Sequence, residues 1–323
     1  MSKTLVTGGT GYLGRHLVDN LLAAGIPLRV LCYSDWKAEA LAERGVQVVL
    51  GDVTQPETLA TLAEDVDVVY HLVGGGSDGR RDPFELNTQG TRHVAEACQS
   101  AHLRAFVYVS SSSVYGQQPG PVDEESPTAP PTVYSRSKLE AETLLLDLAR
   151  SGGFPAIIAR MGGIYGPGAP ILGQEQLQRG RLRITGDGSN VISVIHVEDA
   201  VRGLRAMAEY AGRGGTQRVF CLADDEPVPV LTFHSHLANL LGAPPVQLTS
   251  VRRVRLLIGV VRFLARVVGQ KAPITEDLIR MATLDVHMQN RRMRRELGLE
   301  PRYPTYREGL AQVAAALGAE EEE

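Results

Sequence analysis

The 323 residues suffice for one large α/β domain, or a domain with a smaller partner, with a core that needs neither disulfides nor metals. A hydrophobic share of 43% beside 22% charged residues excludes a disordered or fibrous chain, and a net charge of -4 offers no basic face for nucleic acid. Cys32, Cys98 and Cys221 are sparse, odd in number and free of any CxxC spacing, which fits a reducing cytoplasm and argues against a disulfide framework or a zinc site.

In chain order, the first strand is expected over residues 4–7 and runs at once into glycines, leaving no room for a secretory leader. Further strands are expected over 28–33, 46–50, 68–72, 106–110 and 156–160, with helical patterns between them over 12–24, 88–100 and 133–149. This strand-helix-strand rhythm predicts a parallel, doubly wound sheet with helices on both faces and right-handed crossovers. After residue 166 the rhythm breaks into Gly- and Pro-punctuated stretches. One strand, 218–222, is expected to return to the sheet. The stretches 251–269 and 291–317 read as a smaller, mostly helical lobe. The expected division is therefore a dinucleotide-binding domain over 1–166, an interleaved substrate lobe over 167–317, and an acidic tail over 318–323. No apolar run approaches the length of a bilayer span.

The first turn carries the clearest chemistry. Thr7-Gly8-Gly9-Thr10-Gly11-Tyr12-Leu13-Gly14 places glycines at 8, 11 and 14 after a strand and before a helix. Gly8 permits a tight turn, Gly11 lets backbone approach a pyrophosphate, and Gly14 lets the helix pack closely on the sheet. The start of the helix, through Arg15, offers free N–H groups and a positive dipole end to an anion. The implied ligand is a dinucleotide in a Rossmann-type fold.

Farther on, Tyr134 and Lys138 stand four apart at the start of a helical pattern, so their side chains share one face. A phenol titrates near ~10, and a neighbouring ammonium favours its ionised form. Tyr134 is thus the candidate acid/base for a carbonyl or alcohol, with Lys138 lowering its pKa. A serine run, 110–113, ends the fifth strand. No G-x-S-x-G elbow accompanies it, which argues against a hydrolase nucleophile.

The GxxGxxG spacing together with YxxxK resembles the extended short-chain dehydrogenase/reductase family, which includes NAD-dependent epimerases and dehydratases. Several other segments are similar to that family. Asp52-Val53 matches its adenine-contacting segment, Leu72-Val73-Gly74 the turn beneath the cofactor, and Asn87 its Asn-containing helix start. Helix capping is an equally good use of Asp52 and Asn87. The resemblance implies that Ser111 polarises the substrate oxygen, with Ser112 as the alternative register, and that Lys138 also binds the nicotinamide ribose. It covers most of residues 1–200.

Cofactor choice turns on the end of the second strand. NAD-preferring relatives carry an acidic residue where Cys32 stands, and NADP-preferring ones often carry arginine at the next position, here Tyr33. Without the carboxylate, Ser34, Lys37 and Arg15 are donors for a 2′-phosphate. Asp35 is the counterweight, and the balance tilts to NADP(H) within an NAD(P) expectation.

The segment Met161-Gly162-Gly163-Ile164 resembles the family's stretch after the sixth strand and is expected to contact the cofactor. Nucleotide-sugar enzymes commonly have asparagine where Gly163 stands. The resemblance therefore points to the reductase and 3-beta-hydroxysteroid-dehydrogenase-like branch and to a hydrophobic small-molecule substrate interconverted between carbonyl and secondary alcohol. A nucleotide-sugar epimerase or dehydratase is the alternative, and a dinucleotide-sensing regulator without catalysis a second one. Arg252, Arg255, Arg262 and Arg266 share a helical face in an acid-free stretch. This reads either as an amphipathic helix covering the lobe or as an interfacial or lid helix at a membrane surface or lipid-like substrate. A homodimer is the candidate assembly.

Overall fold

Runs of apolar residues bounded by glycine or proline become strands covered on both faces, as in Leu28–Cys32 and Ala156–Met161, where every residue is buried. The computed structural model describes residues 3–75, 81–267 and 275–320. Seven parallel strands form its main sheet: β1 Lys3–Thr7, β2 Leu28–Cys32, β3 Gln47–Leu50, β4 Val66–His71, β5 Ala105–Ser111, β6 Ala156–Met161 and β7 Val219–Leu222. The order across the sheet is β7-β6-β5-β4-β1-β2-β3. The chain moves outward from β1 to β3 and then crosses to β4 on the other side of β1. That reversal leaves a crevice at the carboxyl ends of β1 and β4, where ligands bind in open α/β sheets.

Helices cover both faces, as a doubly wound fold requires. On one side lie α1 (Tyr12–Ala23) and α5 (Val197–Gly212), whose Leu17, Leu21, Leu204 and Met207 pack on Val6 and Val30. On the other lie α3 (Gly90–Ala97) and α4 (Val133–Gly152), whose Val94, Ala141 and Leu145 pack on Leu5, Phe106 and Ile158. Leu5 and Val6 serve opposite faces because side chains alternate along a strand. A further helix, α2 (Asp35–Glu43), follows β2. The helix expected over 88–100 has a wider first turn: a π-helical Phe84–Gln89 passes directly into α3.

The second half contains more strand than its sequence suggests. Gly163–Tyr165 pairs with Val194–His196, Val191–Ile192 with Val228–Pro229, and Arg183–Thr185 with Gln247–Thr249. Strands of two or three residues carry no readable period, so only β7 was visible beforehand. Around these pairs lie α6 (Val230–Leu240), α7 (Val251–Val267), α8 (Glu276–Ala282), α9 (Arg291–Leu297) and α10 (Tyr306–Glu320). Phe233 and Leu237 of α6 pack against Leu310 and Val313 of α10. The expected continuation of α7 to 269 and the end of the acidic tail, 321–323, lie outside the described residues. No helix among the described residues is long and apolar enough to cross a membrane.

The helix that matters most for the site is α4. It starts after two prolines, where the Thr132 hydroxyl accepts the Ser135 amide at 3.1 Å, and it ends at Gly153 in the left-handed region (φ 66°). Between these ends, buried polar contacts fix its height over the sheet. The Ser137 hydroxyl accepts from Asn87 at 2.9 Å, and the Thr88 hydroxyl donates to the Ser137 carbonyl at 3.0 Å. One turn on, Glu142 receives the Arg160 guanidinium at 2.8 Å and the Ser110 hydroxyl, with the two charged side chains 1% and 7% exposed.

Candidate active site

Two cavities open side by side along the carboxyl edge of the sheet and share Leu72 and Gly74. The first, about 310 Å³, is bounded by the glycine turn at Gly8, Thr10 and Gly11 and by Tyr33, Asp52, Val53 and Val73. The turn is as tight as its glycines suggest. Gly8 lies at φ +72°, where a Cβ would sit 2.9 Å from the Leu72 backbone, and a Cβ on Gly14 would sit 2.0 Å from the Gly8 carbonyl oxygen. Gly11 precedes α1 without a side-chain cap, and no acidic residue occupies the first turn. The leading amides of α1 are therefore available to an anion. A crevice this close to backbone, opening beside a long cleft, fits the phosphates and adenosine of a dinucleotide.

Not every residue expected at the cofactor faces this cavity. Cys32 is buried, and its Sγ points to the Ser34 carbonyl at 3.3 Å, so neither it nor Ser34 lines the wall. Arg15 lies over the Tyr12 ring, 5.1 Å from its centre, also outside the lining. Lys37 and Arg81 are there instead. Arg81 was missed because its partner is 29 residues away: it donates to Asp52 at 2.6 Å. Asp52 also accepts the Thr54 amide at 2.9 Å, so it both caps its own turn and lines the cavity. Burial works against its charge, but Thr54 and Arg81 hold its pKa below the ordinary carboxylate value. Asn87 is fully buried; its amide group exchanges hydrogen bonds with both backbone groups of Gly75 at 3.0 Å. Its observed work is to hold the turn after β4 against α4.

The second cavity, about 340 Å³, contains Ser111, Tyr134 and Lys138 together, beside Tyr12, Leu13, Met161, Gly162 and Ile164. Of the four consecutive serines, only Ser110 and Ser111 line it, and the Ser110 hydroxyl is committed to Glu142. Ser111 ends β5 and interacts with the Ser113 hydroxyl at 2.9 Å and with the Tyr134 phenol. Ser112 starts the next turn and lies outside the lining. Gly163 does not line the cavity, and a Cβ placed there would meet Ile171 Cδ1 at 2.7 Å. Pro170 and Ile171 close that side with apolar surface.

Lys138 is placed differently from the sequence expectation. Its ammonium donates to the Val109 carbonyl at 2.9 Å and the Val73 carbonyl at 3.4 Å, and lies 4.9 Å from the centre of the Tyr108 ring. A Cβ on Gly74 would come within 2.5 Å of it, so a side chain at that position would displace the ammonium. Burial pulls the Lys138 pKa down to about 7, with Glu142 opposing. The expected depression of the Tyr134 pKa by Lys138 is not found. Burial raises the phenol above its ordinary 10, and the opposing contribution comes from the Ser111 hydrogen bond. The ammonium's hydrogen bonds go to strand-end carbonyls and not to the phenol.

Residues 4–223 match the family model described as the NAD dependent epimerase/dehydratase family. A 4-hydroxy-2-methyl-3-oxo-4-farnesyl-3,4-dihydroquinoline-1-oxide ketoreductase from Stigmatella aurantiaca is 30% identical over 95% of this chain and 94% of its own length. A 3-beta-hydroxysteroid dehydrogenase from Mycolicibacterium neoaurum is 27% identical over 94% and 88%. Among solved structures, dTDP-glucose 4,6-dehydratase from Bacillus anthracis in complex with NAD superposes with a TM-score of 0.78 at 21% identity, covering 100% of this chain and 98% of that one.

The lowered pKa of Lys138 has a signature in stability. Because the folded state holds this proton less tightly than the unfolded chain, stability contributed by the site rises with pH between about 7 and 10.5. Lys138→Met removes the titration. Its stability relative to the unsubstituted protein is expected to be highest below about pH 7 and to fall toward 10.5, by at most about 1.4 kcal/mol per pH unit. Urea unfolding of both proteins across that range measures it, and a difference that stays constant with pH contradicts the buried, proton-shedding lysine.

Proposed function

The chain belongs to the NAD dependent epimerase/dehydratase family and is an NAD(P)-dependent enzyme of the extended short-chain dehydrogenase/reductase type, and from that premise we propose that it interconverts a carbonyl and a secondary alcohol on an apolar small molecule. The observation that carries this reading is the wall of the second cavity: Met161, Ile164, Pro170 and Ile171 surround the space over Ser111 and Tyr134, and among the described residues of the lining Lys138 is the one basic or acidic side chain. A diphosphate needs several positioned donors, since unpaired buried charge is very costly. An apolar wall gains about 25 cal/mol per Å² of ligand surface taken from water. The ketoreductase and hydroxysteroid dehydrogenase among the relatives support the same class.

In the direction of reduction, the substrate carbon gains a hydride and its oxygen gains a proton. A reduced nicotinamide, when bound, would supply that hydride. Tyr134 gives the proton: its raised pKa keeps the phenol protonated at neutral pH, ready to donate as charge develops on oxygen. Ser111 donates a hydrogen bond to that oxygen and so steadies the developing charge. Lys138, held at the junction of the two cavities through Val109 and Val73, orients the ribose. Residues 167–317 supply the substrate-side wall, beginning with Pro170 and Ile171.

For the cofactor, the first cavity favours NADP(H). Among the described residues of its lining, Lys37 and Arg81 are two cations against the carboxylate of Asp52, which Arg81 already engages. Tyr33 is 69% exposed at the rim and brings no charge against a 2′-phosphate.

Two substitutions test these roles. Tyr134→Phe keeps the ring and removes the proton, so kcat is expected to fall about 10²- to 10⁴-fold with cofactor affinity changed by less than about twofold. Near-normal turnover by that variant, assayed with a ketone the parent enzyme reduces, refutes the acid/base role. Lys37→Glu is expected to shift the ratio of NADPH to NADH dissociation constants by about tenfold toward NADH. An unchanged ratio by titration calorimetry removes Lys37 from cofactor selection.

A further inference from the structure

Helix α7 is amphipathic, but it does not cover the lobe with its apolar side. Its contact with the rest of the protein is a narrow seam, with Ile258 buried and Val254, Val261 and Ala265 partly so. At about 100° per residue, a second arc of apolar side chains lies roughly a third of a turn away. This arc faces outward: Leu256 is 72% exposed, Phe263 65% and Val267 68%, joined by Leu257, Val260 and Leu264. The third arc is Arg252, Arg255, Arg262 and Arg266, all exposed, while Arg253, also exposed, falls on the apolar arc at its first-turn end. No acidic residue lies between 251 and 267 in a chain whose net charge is -4. The nearest acidic contact is Glu276, 3.5 Å from Arg255.

We propose that α7 lies in the plane of an anionic phospholipid bilayer and docks the enzyme to it, with Leu256, Val260, Phe263 and Val267 among the acyl chains and the arginines at the headgroups. The wheel has the three faces this role needs: one seam on the protein, one apolar arc, and one cationic flank at their boundary. Charge favours lipid over a second copy of the chain, because an identical helix brings the same arginines and no carboxylate to meet them. A patch of six large apolar side chains also exceeds the scattered exposure normal on soluble proteins.

The placement links surface and site. Helix α7 packs against α8, and α8 is tied to the start of α4, where Asp277 accepts the Val133 amide at 2.8 Å and Arg280 donates to the Pro131 carbonyl at 2.9 Å. The docked face is therefore two helices from Tyr134. Exposure and charge place the helix at a bilayer whichever reaction the site performs.

Flotation of the full chain with vesicles of phosphatidylcholine, and of phosphatidylcholine mixed in equal parts with phosphatidylglycerol, tests it. Binding is expected to the anionic vesicles, weakened by added salt and lowered about fivefold for each arginine removed in Arg262→Gln and Arg266→Gln. The double substitution Leu256→Ser with Phe263→Ser is expected to abolish flotation while thermal unfolding and cofactor binding stay unchanged, because both side chains are solvent-facing. Failure of the folded parent protein to float, or equal binding to neutral and anionic vesicles, overturns the proposal. So does a dimer in sedimentation equilibrium that the serine variant loses, since a second copy then covers the face.

Discussion

The height at which α4 sits above the sheet decides everything at the carboxyl edge, and the buried Glu142–Arg160 pair sets that height. Glu142 lies one helical turn past Lys138, and Arg160 belongs to β6, so their 2.8 Å contact locks helix to sheet. Breaking such a pair by removing one member costs about 3–5 kcal/mol, because it strands a buried charge. The cost of burying both charges is offset by added hydrogen bonds: Arg160 also donates to the Tyr115 hydroxyl at 3.1 Å, and Ser110 donates to Glu142. Ser110 is thereby withdrawn from chemistry, and its neighbour Ser111 is left facing Tyr134.

The same constraint governs protonation. With α4 fixed, Lys138 is almost wholly buried at the floor of the second cavity and reaches the carbonyls where β4 and β5 end, so burial brings its pKa to about 7. Tyr134, one turn earlier, is raised by burial and stays a phenol. Below the pair, His71 is sealed between Thr7 at 2.6 Å and Thr91 at 2.9 Å, and burial drives its pKa to about 3. It is a neutral strut under the cleft, although a histidine next to a cofactor turn invites a catalytic reading. Both of its ring nitrogens are engaged by threonines, which is consistent with Tyr134 as the proposed acid/base.

Features that depend on local spacing were legible in the sequence. The glycines at 8, 11 and 14 and the Tyr134–Lys138 interval are statements about one turn or one helix face, and the alternation of strands and helices implied the doubly wound sheet with β7 returning to it. Features that depend on distant partners were not. Arg81 reaches Asp52 across 29 residues, and Arg160 reaches Glu142 across 18, with nothing in spacing to announce either contact. The choice between Ser111 and Ser112 was open in spacing, and it is the cavity lining, which includes Ser111 and not Ser112, that favours the first. Cys32 held the expected position along β2, yet its thiol turns to its own loop. In α7 the periodicity revealed the arginine face but could not say that the larger apolar arc is exposed, because amphipathicity does not identify which face meets the protein.

The central claim is net hydride transfer to an apolar carbonyl, and isotope tracing tests it most directly. The enzyme is incubated with cofactor deuterated at the transferable nicotinamide C4 position. It is offered 3-oxo esters of rising chain length alongside UDP- and dTDP-sugars, and products are read by mass spectrometry. The account predicts deuterium on the new carbinol carbon, one cofactor oxidised per alcohol formed, and turnover that improves with apolar size. Inert ketones, together with a nucleotide sugar converted without net cofactor oxidation, contradict it.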